Sequence, residues 1–424
     1  MIRNFWVENY LSIKDRQTLS FIAKSPSALT VEMPDGTHIY KLSIFYGPNA
    51  SGKSNMLVAI DKIFHILISP ATDINEEINR AYPFQLSKEQ PIKMFVSFYA
   101  DDIRYDYTLE YNNRFILNED LYYYPNKSKT LFYKRRFKRE GIQADIEFGQ
   151  SLKIQKSTQD SIRENTLNNH SVLSVCRKNS FKEDIAPFIS LYKYITTYYH
   201  DINGDNNDSL SDELSKVMED DRKYRFFEMM LHKADLNIDG FEIVTKEREI
   251  PTEISEQIKK SAIPDTVKEK LLSPIQKSVM FTNHYEGGYF SIPLELQSTG
   301  TMTYISRLSH LYDMITSNHV YLLDELGEDL HHDLLTYYLN VFLFNSDRSQ
   351  LIFTSQETYL LKEDALNENR GAVWFVEKDK DTASSMFARG DSFGLHKNMS
   401  LYNSYDVGRL GAKPDFGSFF IDLN

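Results

Sequence analysis

Apolar positions near the start of the chain fall in short runs rather than at helical spacing, and residues 5–11 and 29–33 read as strands. Asp35-Gly36 supplies a turn into a further strand over 38–46, which becomes continuously apolar and stops at Gly47-Pro48. From Ser54 to Ile68 the period changes. Met56, Leu57, Ile60, Ile63, Phe64 and Leu67 recur at three- and four-residue steps, which predicts a helix with one buried face. Between 93 and 124, alternation broken by Asp101-Asp102 and Asn112-Asn113 predicts an antiparallel meander. Residues 155–278 then read as an inserted helical arm: charged, helix-favouring segments at 210–234, 253–262 and 265–272 are separated by breaks around 203–208, Ile250-Pro251 and Pro264. No apolar heptad persists through it, which argues against a long coiled coil. Strand signal returns at 279–281 and 289–294, and the closing third alternates helices 303–317, 330–344 and 357–361 with strands 320–323, 350–354 and 372–377. Such alternation predicts a parallel sheet covered by helices on both faces. The expected organisation is one α/β head made from 1–154 and 279–424, a mixed sheet with helices on both faces plus an antiparallel β-meander, split by the arm at 155–278.

Length and composition narrow the class. With 424 residues there is room for two or three domains, or for one large domain carrying an insertion. The lone cysteine, Cys176, excludes an internal disulfide and fits a reducing compartment. No apolar run reaches the roughly 18 residues a spanning helix needs, and charges within the first sixteen positions break any signal-peptide pattern. A soluble, cytoplasmic protein with no membrane partner is expected. Apolar and aromatic shares of 41% and 13% exclude disorder, and a net charge of −12 argues against a sequence-blind nucleic-acid clamp.

Candidate chemistry concentrates where the first apolar strand ends. Gly47, Pro48, Asn49, Ala50, Ser51, Gly52, Lys53 and Ser54 match G-x-x-x-x-G-K-[ST] between a strand and an amphipathic helix. Glycines permit the tight turn that presents successive backbone N–H groups to phosphates, and the helix start adds its dipole. Lys53 would reach the β- and γ-phosphates of ATP, and Ser54 would offer its hydroxyl to Mg²⁺. Downstream, Val320-Tyr321-Leu322-Leu323 leads into Asp324 and Glu325, an arrangement that holds Mg²⁺ through the aspartate and orients water through the glutamate. Read alone, that pair could equally cap a helix. Ser298, Thr299, Gly300 and Thr301 precede the 303–317 helix and make a second helix start able to bind an anion.

Phosphate loop, serine–glycine signature and the strand ending in Asp324-Glu325 together resemble an ABC-type P-loop NTPase head. More narrowly they resemble the SMC-like and OLD-like AAA ATPases of bacterial abortive-infection and anti-phage defence. That narrower resemblance also rests on the segment 5–15, Ala81-Tyr82-Pro83-Phe84-Gln85-Leu86, Ala234-Asp235-Leu236-Asn237-Ile238, Leu330-His331, Tyr405, and Gly408-Arg409-Leu410-Gly411-Ala412-Lys413-Pro414, so it spans nearly the whole chain. The resemblance implies ATP hydrolysis and a head-to-tail homo-oligomer, at least a dimer, in which Ser298, Gly300 and Thr301 of one subunit close on ATP held by another. Gln85 is implied as a residue approaching the Mg²⁺. Also implied is the ATPase half of a two-gene defence system of the PARIS type, which holds or releases an effector such as a TOPRIM-type nuclease when a phage protein triggers it. Two departures bear on rate. Gly327 stands where the family carries an aspartate, and Gln356 stands where it carries a histidine that senses the γ-phosphate; a glutamine can hydrogen-bond there but carries no charge. Slow hydrolysis, with ATP acting mainly as an assembly clamp, is the expectation.

Other readings compete. A DNA-binding head that closes on ATP would need a basic channel, for which Lys127, Lys129, Lys134, Arg135, Arg136 and Lys138 are the candidates; the same run also reads as a solvated hairpin tip. Arg225 and His232 fit a loose ribonuclease spacing, but such residues more often rim an amphipathic helix. His331, His332 and Asp333 are not expected to hold a metal, because adjacent histidines on a helix point to different faces and a third ligand at suitable spacing is lacking. A role for His331 beside the nucleotide is the preferred reading.

Overall fold

The computed structural model describes residues 1–139, 144–177, 185–200, 210–247, 251–261, 263–264, 268, 272, 275–414, 416–418 and 420–421. The chain divides into two compact units, one of Met1–Asp205, Asp313–Glu328 and Leu335–Asn424, the other of Asn206–Tyr312 and Asp329–Leu334.

Among the described residues, two large sheets and a two-stranded hairpin, Thr30–Glu32 with His38–Tyr40, make up the strands of the first unit. The strand expected over 38–46 is broken at Lys41, its first half pairing in the hairpin and Leu42–Tyr46 in the parallel sheet. This large sheet runs in the order Tyr199–His200, Val320–Leu323, Gln350–Thr354, Leu42–Tyr46, Val373–Lys378, Ser385–Arg389 and is parallel except for its last pair. Strands Leu42–Tyr46, Val320–Leu323 and Gln350–Thr354 are buried at every residue, which is why they read as continuous apolar runs rather than as alternation. The other sheet is antiparallel, in the order Asp145–Phe148, Thr130–Arg136, Ile116–Tyr124, Ile103–Tyr111, Ile92–Ala100, Ile2–Glu8, Gln17–Ser20. Helix Lys53–Ile68 packs on both sheets and puts Met56, Leu57, Ile60, Ile63, Phe64 and Leu67 into one core with Phe5, Val96, Phe98, Leu322, Ile352 and Trp374. Burial of each such large side chain contributes about 1.5–3 kcal/mol, so this helix start is held on a rigid base.

Residues 155–205, expected to begin the arm, belong to this first unit. Ile162 of helix Lys156–Asn165 and Phe188, Leu191 and Ile195 of helix Ala186–Tyr198 join its core, with the Phe188 ring 4.6 Å from that of Phe132. The second unit is not purely helical. Strands Ile238–Glu247, Ile275–Tyr285 and Gly288–Pro293 form an antiparallel sheet, and Phe241 packs against Phe227 of helix Asp221–Lys233 and against Phe281. The helix expected over 210–234 breaks into Leu210–Glu219 and Asp221–Lys233, because the Asp220 carboxylate caps the second by accepting from the N–H groups of Arg222 and Lys223. The expected break at 203–208 lies outside the described residues, as does nearly all of the expected helix 265–272. Among the described residues, no helix is long and apolar enough to cross a membrane.

Candidate nucleotide site

Parallel register assembles the site. Leu323 pairs with Phe353 and Thr354 with Phe45, so the carboxyl ends of three neighbouring strands deliver Asp324, Thr354 and Gly47 to one edge of the sheet. Open α/β sheets place ligands at that edge. The loop after Tyr46 is shaped by its glycines: a Cβ on Gly47 would meet the Val376 carbonyl oxygen at 2.2 Å, and one on Gly52, whose φ is 106°, would meet Ser385 Oγ at 2.0 Å. Beneath the loop, Ser385 Oγ donates to the Ser51 carbonyl at 2.6 Å and meets Ser12 Oγ at 2.7 Å, while Asn55 Nδ2 donates to Ser12 Oγ at 2.7 Å. These loop-supporting polar residues lie far apart in sequence and carry no motif.

Lys53 is buried at the start of the helix, with Nζ donating to the carbonyls of Gly47 at 2.8 Å and Pro48 at 3.2 Å. Burial lowers its pKa below the ordinary lysine value, and the nearby Glu325 and Asp324 carboxylates partly restore it. Ser54 Oγ donates to Asp324 Oδ1 at 3.0 Å across 270 residues of sequence. Thr354 Oγ1 donates to that same Oδ1 at 2.5 Å and accepts the Glu325 N–H at 2.7 Å. One hydroxyl therefore positions both carboxylate residues. The Leu326 N–H, bonded to the Thr354 carbonyl at 3.0 Å, fixes the turn, in which Glu325 has a φ of 51°. Gln356 Nε2 donates to Glu325 Oε1 at 2.9 Å, and both residues line a cleft of about 260 Å³ with Gly327 and Ser355. Gly327 has a φ of 107°, and a Cβ there would meet Leu335 Cδ2 at 2.6 Å, which accounts for glycine at this position.

Ser298, Gly300 and Thr301 lie in the second unit at the start of helix Thr299–Thr316. Ser298 Oγ caps that helix by accepting the Thr301 N–H at 3.1 Å and meets Thr301 Oγ1 at 2.8 Å. Asp329 approaches so closely that a Cβ on Gly300 would lie 2.6 Å from its carbonyl oxygen. Gln85 is exposed in the short 3-10 helix Gln85–Ser87, and among the described residues no hydrogen bond joins it to Ser54 or Asp324.

Half of the basic run is tied up in ion pairs, Lys138 with Asp145 among them. Arg135 is fully buried 3.5 Å from Glu119 and donates to the carbonyls of His170 at 2.5 Å and Leu167 at 2.8 Å, while Arg136 pairs with Asp120. Lys129 lies 4.2 Å from the Tyr122 ring. Arg225 is exposed on helix Asp221–Lys233, and His232 sits 3.6 Å from Asp239. His331 and His332 do not diverge as expected. Helix His332–Asn345 begins after His331, which leaves the two rings 4.3 Å apart.

The family described as "AAA domain, putative AbiEii toxin, Type IV TA system" matches residues 42–362, from the strand before the phosphate loop to beyond Gln356. The chain belongs to this AAA family. No curated protein sequence matches it. Solved structures similar to this AAA-family chain include the SMC head domain from Thermotoga maritima, 13% identical with a TM-score of 0.39, covering 92% of this chain and 98% of that one. An SmcHead bound to the C-winged helix domain of ScpA is 13% identical with a TM-score of 0.41, covering 96% and 99%. The Smc head domain with an extended coiled coil bound to the C-terminal domain of ScpA, derived from Pyrococcus furiosus, is 11% identical with a TM-score of 0.39, covering 96% and 98%. The fold is an AAA-family head, with its phosphate loop, acidic strand end and Gln356 on one edge of a mixed sheet.

Proposed function

We propose that the protein binds and slowly hydrolyses ATP, assembles through ATP-sandwiched heads, and thereby holds or releases an effector protein, such as a TOPRIM-type nuclease, in anti-phage defence. The observation that carries the nucleotide reading is the meeting of Ser54 and Asp324 at 3.0 Å beside the buried Lys53 amine. The donor set suits a hard cation: a hydroxyl and a carboxylate converge at a helix N-terminus, in a loop whose Gly47 and Gly52 leave no room for a side chain. Ser54 and Asp324 would hold Mg²⁺, which would neutralise phosphate charge. Lys53 would exchange its two carbonyl partners for phosphate oxygens, and the loop N–H groups would cradle the same anion. Glu325 would orient water, with Thr354 setting its backbone and Gln356 its carboxylate. Loss of the Gln356 contact would free that carboxylate, and the neutral amide offers no charge to the transition state, which supports slow turnover.

Ser298, Gly300 and Thr301 would close on the nucleotide of a second copy, and the family's description as a putative AbiEii toxin of a type IV TA system supports the defence role. Glu325→Gln in Mg-ATP should trap the assembled form. Light scattering should then report at least twice the monomer mass, reversed by Ser298→Arg; a monomer under both conditions rejects the sandwich. The DNA-binding alternative has less support, because Arg135 is fully buried and Arg136 is paired.

A further inference from the structure

We propose that His331, His332 and Asp333 form a binding site for a borderline divalent cation such as Zn²⁺, separate from the Ser54–Asp324 pair. His331 Nδ1 lies 3.6 Å from Asp333 Oδ2, and His332 Nε2 lies 3.2 Å from Asp333 Oδ1. Ligand atoms around a tetrahedral zinc, bound at about 2.0–2.1 Å, stand roughly 3.4 Å apart, and each histidine is near that spacing from one of the two Asp333 oxygens, His331 from Oδ2 and His332 from Oδ1. One ligand atom from each of the three residues falls within 4.8 Å of the others. Small side-chain rotations would bring all three to a common centre.

Local backbone explains why consecutive residues converge. His331 precedes the helix that begins at His332, so its ring is not bound to helical spacing and turns back alongside its neighbour, with the ring planes 31° apart. The Asp333 N–H donates to His331 Nδ1 at 3.3 Å, which holds the His331 ring against its neighbour. Two imidazoles and a carboxylate suit zinc, nickel or cobalt, whereas the hydroxyl and carboxylate of Ser54 and Asp324 suit magnesium. Three protein ligands leave a coordination position for water or for a group from a partner. The same segment carries Asp329, whose carbonyl lies against Gly300, so a bound ion would stiffen the chain that packs on the signature helix start.

The test is Zn²⁺ uptake by the full chain, measured by equilibrium dialysis without nucleotide, alongside the visible spectrum of its Co²⁺ form. The wild type should bind one more equivalent of Zn²⁺ than a His331→Ala/His332→Ala/Asp333→Ala variant, and its Co²⁺ spectrum should carry the intense absorption of a low-coordinate nitrogen site. Each single histidine substitution should weaken binding by about tenfold or more, since even residues behind the ligands matter that much. His331 and Asp333 side chains are 68% and 80% exposed and His332 is 36% exposed, so the melting temperature of the variants is measured alongside, and unchanged melting would establish the fold. Lys53→Ala should keep the extra equivalent. Equal Zn²⁺ uptake by the wild type and the triple variant would overturn the site, since the remaining histidines would then account for all binding.

Discussion

Thr354→Val removes one hydroxyl and keeps the shape of a fully buried side chain at the end of strand Gln350–Thr354. That hydroxyl donates to Asp324 Oδ1 at 2.5 Å and accepts the Glu325 N–H at 2.7 Å. A hydrogen bond to a charged group is worth about 1.5–3 kcal/mol, and the part-buried Glu325 N–H left without a partner costs about 1 kcal/mol, so the variant should lose roughly 2.5–4 kcal/mol of stability. A second cost falls on catalysis. The left-handed backbone of Glu325, at a φ of 51°, stores about 1–3 kcal/mol that the Thr354 contacts offset. Without them the carboxylate would relax away from the attacking water, and a loss of about 1.4–2.7 kcal/mol in positioning lowers kcat about 10- to 100-fold. Thr354→Ser keeps the oxygen and should recover most of the rate. Single-turnover hydrolysis, Mg-ATP affinity and a thermal melt should be measured on all three proteins. Wild-type kcat and melting in Thr354→Val would refute the reasoning, because both consequences flow from the same hydroxyl.

Other outcomes follow from buried charge. Glu119→Ala should destabilise the protein by about 3–5 kcal/mol, because it strands the fully buried Arg135, whereas Arg136→Ala, which breaks a half-exposed pair, should cost under about 1 kcal/mol in chemical denaturation. Burial of Lys62 pushes its amine down to about 8, despite the opposing pull of Asp61. The unfolded chain, with an ordinary value of 10.5, therefore binds the extra proton between those two pKa values, and stability rises with pH across that window. Between pH 8 and pH 10 this group should add roughly 2 kcal/mol to the wild type relative to Lys62→Met, measured by urea unfolding at each pH.

Local pattern carried much of the fold and the central motif. Strand, glycine-rich loop and helix follow one another between Leu42 and Ile68, and strands Val320–Leu323 and Gln350–Thr354 match the expected bounds residue for residue. Thr354 escaped notice because its contacts come from parallel register between strands about thirty residues apart, which no spacing along one strand reveals. Arg135 was misread because a charge run suggests solvent. Its alternate position on strand Thr130–Arg136 points it inward to Glu119, while Arg136 points out. The arm was misjudged at both ends for a similar reason. Phe188, Leu191 and Ile195 face a core supplied by residues about fifty positions earlier, and strand Ile275–Tyr285 carries enough polar side chains to mask its pairing with Ile238–Glu247.

The account rests on the convergence of Lys53, Ser54 and Asp324 as a site for magnesium-bound nucleotide. Equilibrium binding of a fluorescent ATP analogue to the wild type and to Lys53→Ala, with and without Mg²⁺, tests it most directly. Saturable binding by the wild type that weakens without Mg²⁺ and vanishes in a folded Lys53→Ala is the result predicted. Equal binding by the two proteins, or none by either, would contradict it.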